Sequence, residues 1–182
     1  MTTRVVRISP LRNDGGLRTG YTVTATHAGH CWTPSLVNGK LYRCFNADLI
    51  LDPCWKQPGH DSVVCLPQPW STKLTRLRLT KPLPARTDFP ARYWALRVGG
   101  SAQVSCTASM GATGLVGKRP ISYTCPRGWG LLGKPDRTHG RWTIAIARRN
   151  GHDYRPSGRV PVITAWEAGA GPTHRAPPRA DT

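Results

Sequence analysis

The spacing of the cysteines constrains the fold of this chain more than any other feature. Four of the six lie between positions 31 and 65, in CWTPSLVNGKLYRCFNADLILDPCWKQPGHDSVVC, and Cys106 and Cys125 complete the set. An even number of cysteines at such spacings is typical of a disulfide framework formed in an oxidising compartment. We therefore predict a loop-rich chain held together by disulfides.

Turn signals indicate which cysteines pair. Each pair of cysteines consecutive in the sequence flanks a predicted turn, which favours the bridges Cys31–Cys44, Cys54–Cys65 and Cys106–Cys125. A four-residue loop over residues 58–61 places Gln57 opposite Ser62, and this register sets Cys54 directly across from Cys65. That geometry suits a bridge between adjacent strands.

The bridge between Cys31 and Cys44 needs an irregular strand. A two-residue Asn38-Gly39 turn of type I′ places Cys31 opposite Asn46, so Cys44 lies on a diagonal about 7 to 8 Å away, too far for a relaxed bridge. We therefore expect an irregularity near Pro34.

Composition and periodicity predict an all-β fold. Glycine and proline are abundant, Glu167 is the single glutamate, and apolar residues alternate with polar ones in short runs. This pattern favours strands and turns over long helices. We predict an antiparallel sheet, a small sandwich or partly closed barrel, with long Pro/Gly loops. Strands are expected over residues 21–26, 75–80, 93–98, 121–125, 128–132, 142–147 and 160–166.

A hairpin around Gly99-Gly100 has an ambiguous register. A three-residue loop aligns the apolar residues on one face and sets Trp94 opposite Cys106, so we choose that loop. The predicted organisation is a mobile lead or edge strand over residues 1–20, one domain over 21–168 and a disordered tail over 169–182.

The net charge of +17, with a pI near 10.7, predicts attraction to polyanions. Nucleic acid, anionic lipid surfaces and acidic cell-envelope polymers all fit, and the charge does not choose among them. Arginine carries most of the excess and is scattered along the chain. A G+C-rich coding bias would enrich arginine in the same way without any ligand.

The N-terminus conflicts with the disulfide prediction. The segment MTTRVVRISPLRNDGG has no apolar core of a signal peptide, and the chain has no long apolar run. We expect the start to lie downstream of an export signal and the protein to be extracellular or in the cell envelope. The alternative is an intracellular protein with reduced cysteines.

Candidate metal and catalytic residues are few. A zinc set could be drawn from His27, His30, Cys31 and Cys44, but CxxC spacing is absent, so no metal or cofactor is expected. The acid–imidazole clusters are His60-Asp61, Asp136 with His139, and His152-Asp153. All three lie in polar turns, where such residues are common for conformational reasons. No recognised catalytic motif is present, so we expect a protein that binds rather than catalyses.

The seven tryptophans divide into two groups. Five lie on predicted strands or beside cysteines, where core packing is their ordinary role: Trp32, Trp55, Trp94, Trp142 and Trp166. Trp70 and Trp129 lie near prolines or glycines and are expected to be partly exposed. Together with Arg76 and Arg78 they are the candidate ligand-facing residues, because an exposed aromatic ring among arginines can stack on a sugar or a base.

The blocks GHCWTPSL, LYRCF, LILDPCW, VVCLPQPW, LTRLRLTKPLP, WALRVGG, QVSC, ISYTC and RWTIAIA resemble a group of actinobacterial extracytoplasmic domains of unassigned function. The resemblance covers residues 20–167. It implies export, disulfides and a mainly β fold, and it implies no catalytic residues.

Three functional hypotheses follow. The first is a secreted or envelope-associated binding domain for anionic cell-wall polymers or glycans. The second is an envelope-acting hydrolase with a His/Asp loop site. The third is an intracellular basic protein that binds nucleic acid.

Overall fold

The computed structural model describes residues 2–47, 49–89, 91–99, 103–111, 113–151 and 153–170. These residues form thirteen β-strands and one short 3-10 turn at Pro126–Gly128, which confirms the all-β class. The strands are β1 (Arg4–Ile8), β2 (Thr22–Pro34), β3 (Tyr42–Asn46), β4 (Leu49–Lys56), β5 (Ser62–Cys65), β6 (Lys73–Leu79), β7 (Tyr93–Val98), β8 (Val104–Ala108), β9 (Leu115–Val116), β10 (Arg119–Thr124), β11 (Trp129–Asp136), β12 (Thr143–Asn150) and β13 (Asp153–Ala168). Within these ranges no helix is long and apolar enough to cross a bilayer.

The chain packs as two compact units that interleave along the sequence. The first unit comprises the described residues of Met1–Ile8, Gln68–Trp70 and Phe89–Ala168, and the second those of Ser9–Pro67, Ser71–Asp88 and Gly169–Thr182. The single domain expected over residues 21–168 stays a prediction, because both units draw on that range. The tail expected to be disordered lies, from residue 171 onward, outside the described residues.

The first unit is an eight-stranded sheet that closes on itself. Its strand order is β1-β13-β12-β11-β10-β8-β7, β9 pairs with β10, and pairing of β13 with β7 completes the closure. All neighbours are antiparallel except β1, which joins β13 in parallel. Alternate residues of these strands, among them Leu96, Leu131, Ile144 and Val162, form its buried core.

The second unit is a closed five-stranded barrel with the order β2-β3-β4-β5-β6. Neighbours along the chain pair antiparallel, and the parallel pair of β2 with β6 closes the barrel. Its interior is small and sulfur-rich: Val63 and Leu77 are fully buried beside the bridged cysteines 31, 44, 54 and 65. In so small a core the disulfides supply part of the stability that apolar burial cannot.

The three predicted disulfides are present: Cys31–Cys44, Cys54–Cys65 and Cys106–Cys125. Cys54 lies directly opposite Cys65, and the backbone N–H of Gln57 donates to the carbonyl of Ser62 at 3.1 Å, as the four-residue loop requires. The second bridge therefore forms by the predicted register.

The first bridge forms in a strand that has the kind of irregularity that the bridge requires. Cys31 lies directly opposite Cys44, and the register shifts between Cys31 and Thr33, which leaves Trp32 as the extra residue. The predicted type I′ turn at Asn38-Gly39 is wrong. Asn38 is instead the first residue of the turn, since its carbonyl accepts from Leu41 and its side-chain oxygen accepts from the backbone N–H of Lys40.

The predicted register of the β7–β8 hairpin is also wrong. Leu96, and not Trp94, lies opposite Cys106, and Val98 pairs with Val104. The connection is longer than the three residues expected. The predicted and observed pairings differ by two residues. A shift by an even number leaves each side chain on the same face of the sheet, so Cys106 is still fully buried on the core side.

Candidate anion-binding site

Two sets of residues that the sequence singled out separately meet at one surface depression of the second unit. Arg76 and Arg78 of β6 lie beside His60 and Asp61 of the β4–β5 hairpin. The depression has a volume of about 420 Å³ and is lined by Gln57, His60, Asp61, Ser62, Arg76, Arg78 and Leu79. The predicted ligand-facing arginines and one predicted acid–imidazole cluster are thus neighbours in this depression.

The strand registers explain why both arginines point to this surface. Ser62 pairs with Arg78 and Val64 with Arg76. Side chains alternate along a strand, so residues 76 and 78 share one face. Leu77, between them, is fully buried in the barrel interior. The arginines therefore project from the outer face of the barrel, next to a hairpin that the Cys54–Cys65 bridge holds in place.

Gln57 fixes the position of Arg76. The side-chain oxygen Oε1 of Gln57 accepts hydrogen bonds from Ser62 Oγ at 3.0 Å and from Arg76 Nε at 3.1 Å. Gln57 itself is buried, with 5% of its surface exposed. Because this bond uses Nε, the two Nη groups of Arg76 retain their donors, and no described residue accepts from them.

The depression carries net positive charge. Arg78 is exposed, and its side chain forms no hydrogen bond or ion pair with any of the described residues. The single acid, Asp61, has a fully exposed side chain, and its carboxylate lies 3.9 Å from Lys56 Nζ. Lys56 Nζ also donates to the carbonyl of His60. An exposed pair at that distance is weak, so the arginine charges dominate the local field.

The acid–imidazole clusters do not form a catalytic arrangement among the described residues. No hydrogen bond joins the side chains of His60 and Asp61, and both are exposed. Asp136 accepts from the backbone N–H of Thr138 at 3.1 Å and from its hydroxyl at 2.8 Å, and these bonds lower the pKa of Asp136. That geometry is a turn closed by an aspartate. His152, in the third cluster, lies outside the described residues.

The candidate zinc set lacks its thiolates in this structure. Cys31 and Cys44 are bonded to each other. The sulfur atoms of Cys44, Cys54 and Cys65 lie within 4.8 Å of one another, but each belongs to a disulfide. Zinc requires the deprotonated thiol as its ligand, and a bridged sulfur cannot supply it.

The other two candidate ligand-facing residues belong to the first unit. Trp70 is 39% exposed and contacts Trp166 edge-on, with ring centroids 5.6 Å apart. Trp129 is half-buried against the core, and the guanidinium of Arg148 lies 4.6 Å from its ring centroid. These two tryptophans and the two arginines at positions 76 and 78 are thus divided between the units.

One tryptophan was assigned to the wrong environment. Trp55, Trp94 and Trp166 are buried as expected, whereas Trp32 is 40% exposed. The signal was present in the sequence, because Cys31 must face the barrel interior to form its bridge and the next residue of a strand faces the opposite side. Proximity to a cysteine was the wrong criterion.

Comparison with known proteins adds no assignment: no protein-family model, no curated protein and no solved structure matches this chain. The resemblance to actinobacterial extracytoplasmic domains stays a prediction.

Proposed function

We propose that this protein is a secreted or cell-envelope-associated binding domain that engages the phosphate or carboxylate groups of anionic cell-wall polymers or glycans. The observation that carries the proposal is the depression on the second unit, where Arg76 and Arg78 lie side by side over a buried glutamine. Guanidinium groups bind such anions through paired N–H donors. The bond that Arg76 Nε donates to Gln57 orients one of the two guanidinium groups in advance.

The shape of the site favours a polymer over a small molecule. A shallow, open depression cannot enclose most of the surface of a small ligand, as a deep pocket does. It can receive one charged group of a chain that continues across the surface. The net charge of +17 would then raise the local concentration of a polyanion and strengthen each contact at low salt.

The disulfides support the compartment. All six cysteines are bridged and each has less than a tenth of its surface exposed. Bridges of this kind persist in oxidising surroundings and are rare where glutathione and thioredoxin keep thiols reduced. An extracellular or envelope location agrees with this chemistry, and cell-wall polymers are the abundant polyanions there.

Binding of inorganic polyphosphate and of isolated actinobacterial cell walls tests the proposal. The variant R76Q/R78Q removes the two charges, and R119Q/R155Q removes two exposed charges of the first unit as a control of equal charge change. We expect R76Q/R78Q to bind polyphosphate about tenfold or more weakly than the control variant. The dependence of log affinity on log salt should fall by about two, one for each lost contact.

Further measurements make the result decisive. The single variant R78Q separates loss of charge from any disturbance around Gln57, because the side chain of Arg78 has no partner among the described residues. Circular dichroism checks that each variant is folded. Equal loss of affinity in R119Q/R155Q would contradict a localised site. Six free thiols in protein isolated from its host would contradict the compartment, and release of wall fragments that disappears in H60A would replace binding with hydrolysis.

A further inference from the structure

A second surface of the barrel presents an aromatic ring to solvent. Trp32 is the extra residue where the register of β2 shifts against β3, and 40% of its surface is exposed. An irregularity of this kind redirects a side chain and is often found beside functional sites. Trp32 thus lies on the outer face at the same register shift that accompanies the Cys31–Cys44 bridge.

Neighbouring rings hold Trp32 in one orientation. The ring of Phe45 meets the indole nearly at a right angle, with centroids 6.2 Å apart, and His30 meets Phe45 edge-on at 6.1 Å. Phe45 pairs with His30 on one side and with Ile50 on the other, so these three side chains form a row across β2, β3 and β4. Edge-to-face contacts of this kind are favoured by the charge distribution of aromatic rings.

A cation accompanies the ring. The guanidinium of Arg43 lies 5.2 Å from the indole centroid of Trp32, in cation–π contact. Trp32 is therefore a partly exposed aromatic ring with a guanidinium group in contact with it. A sugar ring needs this combination, since its C–H face packs on an aromatic face while its hydroxyls bond to groups at the rim.

Another occupant fits the surface less well. A nucleic-acid base would stack on the same ring, but an oxidising compartment, which the disulfides favour, is not where nucleic acid is the ordinary partner. The surface chemistry and the compartment together favour a glycan.

We propose that Trp32, oriented by Phe45 and accompanied by Arg43, is a stacking site for a sugar ring of the cell-wall glycan. This inference rests on the proposed function, because it adds a sugar-binding site to a domain that engages wall polymers. It assigns the glycan to a surface different from the arginine depression, so the two sites can be tested separately.

Retention on cell walls stripped of their anionic polymers tests the inference. At 0.5 M NaCl the Debye length falls to roughly 4 Å and contacts between exposed charges are largely screened. We expect the oxidised protein to be retained under these conditions, W32A to bind about tenfold more weakly and W32F to recover most of that loss. The matched control is L115A, which truncates an apolar residue that is 65% exposed in the first unit.

The outcomes separate this inference from the proposed function. Unchanged retention of W32A, or no retention of the wild type on stripped walls, would overturn the stacking site even if R76Q/R78Q still loses polyphosphate. Loss of retention in W70A instead of W32A would also overturn it. So would binding of a single-stranded oligothymidylate that depends on Trp32 in the absence of wall binding. Conversely, suppose that R76Q/R78Q binds polyphosphate as well as the wild type while retention on stripped walls still depends on Trp32. That result would contradict the arginine site and leave the stacking site standing.

Discussion

The carboxyl group of Asp52 makes the stability of the second unit depend on pH. Asp52 has 4% of its surface exposed. Its two oxygens accept hydrogen bonds from Ser35 Oγ and, at 3.0 Å, from the backbone N–H of Leu36. Ser35 Oγ also accepts from the N–H of Val37 at 3.2 Å. The loop after β2 is therefore anchored to β4 through one buried acid.

Burial determines the direction of the effect. Removal from water raises the pKa of Asp52 to about 6 from 3.8, and the hydrogen bonds from Ser35 and Leu36 and the charge of Arg43 oppose that rise only in part. Folding therefore favours the protonated form. This contribution to the free energy of unfolding is complete below pH 3.8 and is lost as the pH rises through about 6. A shift of about two pKa units corresponds to about 3 kcal/mol.

The variant D52N isolates this contribution, because asparagine does not titrate. Hydrogen bonds lower the pKa of Asp14 and Asp136. The contribution of these two acids to the free energy of unfolding is therefore lost as the pH falls, opposite to that of Asp52. They are present in both proteins and cancel in the difference. Asparagine has one oxygen acceptor for two donors, which adds a cost independent of pH.

Urea unfolding at pH 4 and pH 7, with the disulfides intact, measures the effect. We expect the stability of the wild type relative to D52N to fall by about 2 kcal/mol between these pH values. A difference that is constant over this range would refute the reasoning from burial. A wild type that gains stability relative to D52N toward pH 7 would show that the hydrogen bonds, and not desolvation, dominate.

Two predictions concern the barrel itself. Replacing Cys54 and Cys65 together by alanine opens a loop with a sequence separation of 11. The free energy of unfolding, measured with guanidinium, should fall by about 3 kcal/mol. A change near zero would show that the bridge adds nothing to the stability of the hairpin. In G29A the new Cβ would lie 2.6 Å from the carbonyl oxygen of Phe45, which is fixed in the β2–β3 ladder, so we expect a loss of about 1 to 3 kcal/mol. The control G111A has open space around its Cβ, and equal melting temperatures for the two variants would contradict the steric argument.

Most of what could be predicted from the sequence followed from the residues of the local turns. For the loop over residues 58–61, a single strand register fits both the turn and the apolar residues on either side of it. That register places Cys54 opposite Cys65. The first bridge required an irregular strand, and the structure has one at Trp32. In both cases the disulfide limits the registers that a strand pair can adopt.

The two register errors have different physical origins. Apolar alternation specifies which face of a strand is buried, and it therefore cannot detect a slip of two residues, as in the β7–β8 hairpin. At Asn38 the alternatives were two turns that differ by one residue, and the side-chain bond to Lys40 selects the one in which asparagine comes first.

The closure of the two sheets could not be predicted from local patterns. The pairs β2–β6 and β13–β7 join segments that are distant in the sequence, and no short motif encodes them. The arginine depression depends on the β5–β6 register, which brings Arg78 beside Ser62 and the His60 loop. The sequence therefore identified the residue types and their outward direction, but not their common site.

The most direct test of the central claim is to follow the guanidinium Nε–H signals of the arginines by nuclear magnetic resonance while inorganic polyphosphate is added. Our account predicts that the signals of Arg76 and Arg78 shift first and saturate together, before those of the exposed Arg119 and Arg155. Shifts of similar size at all four arginines, or shifts that spare Arg76 and Arg78, would contradict a specific anion-binding site on the barrel.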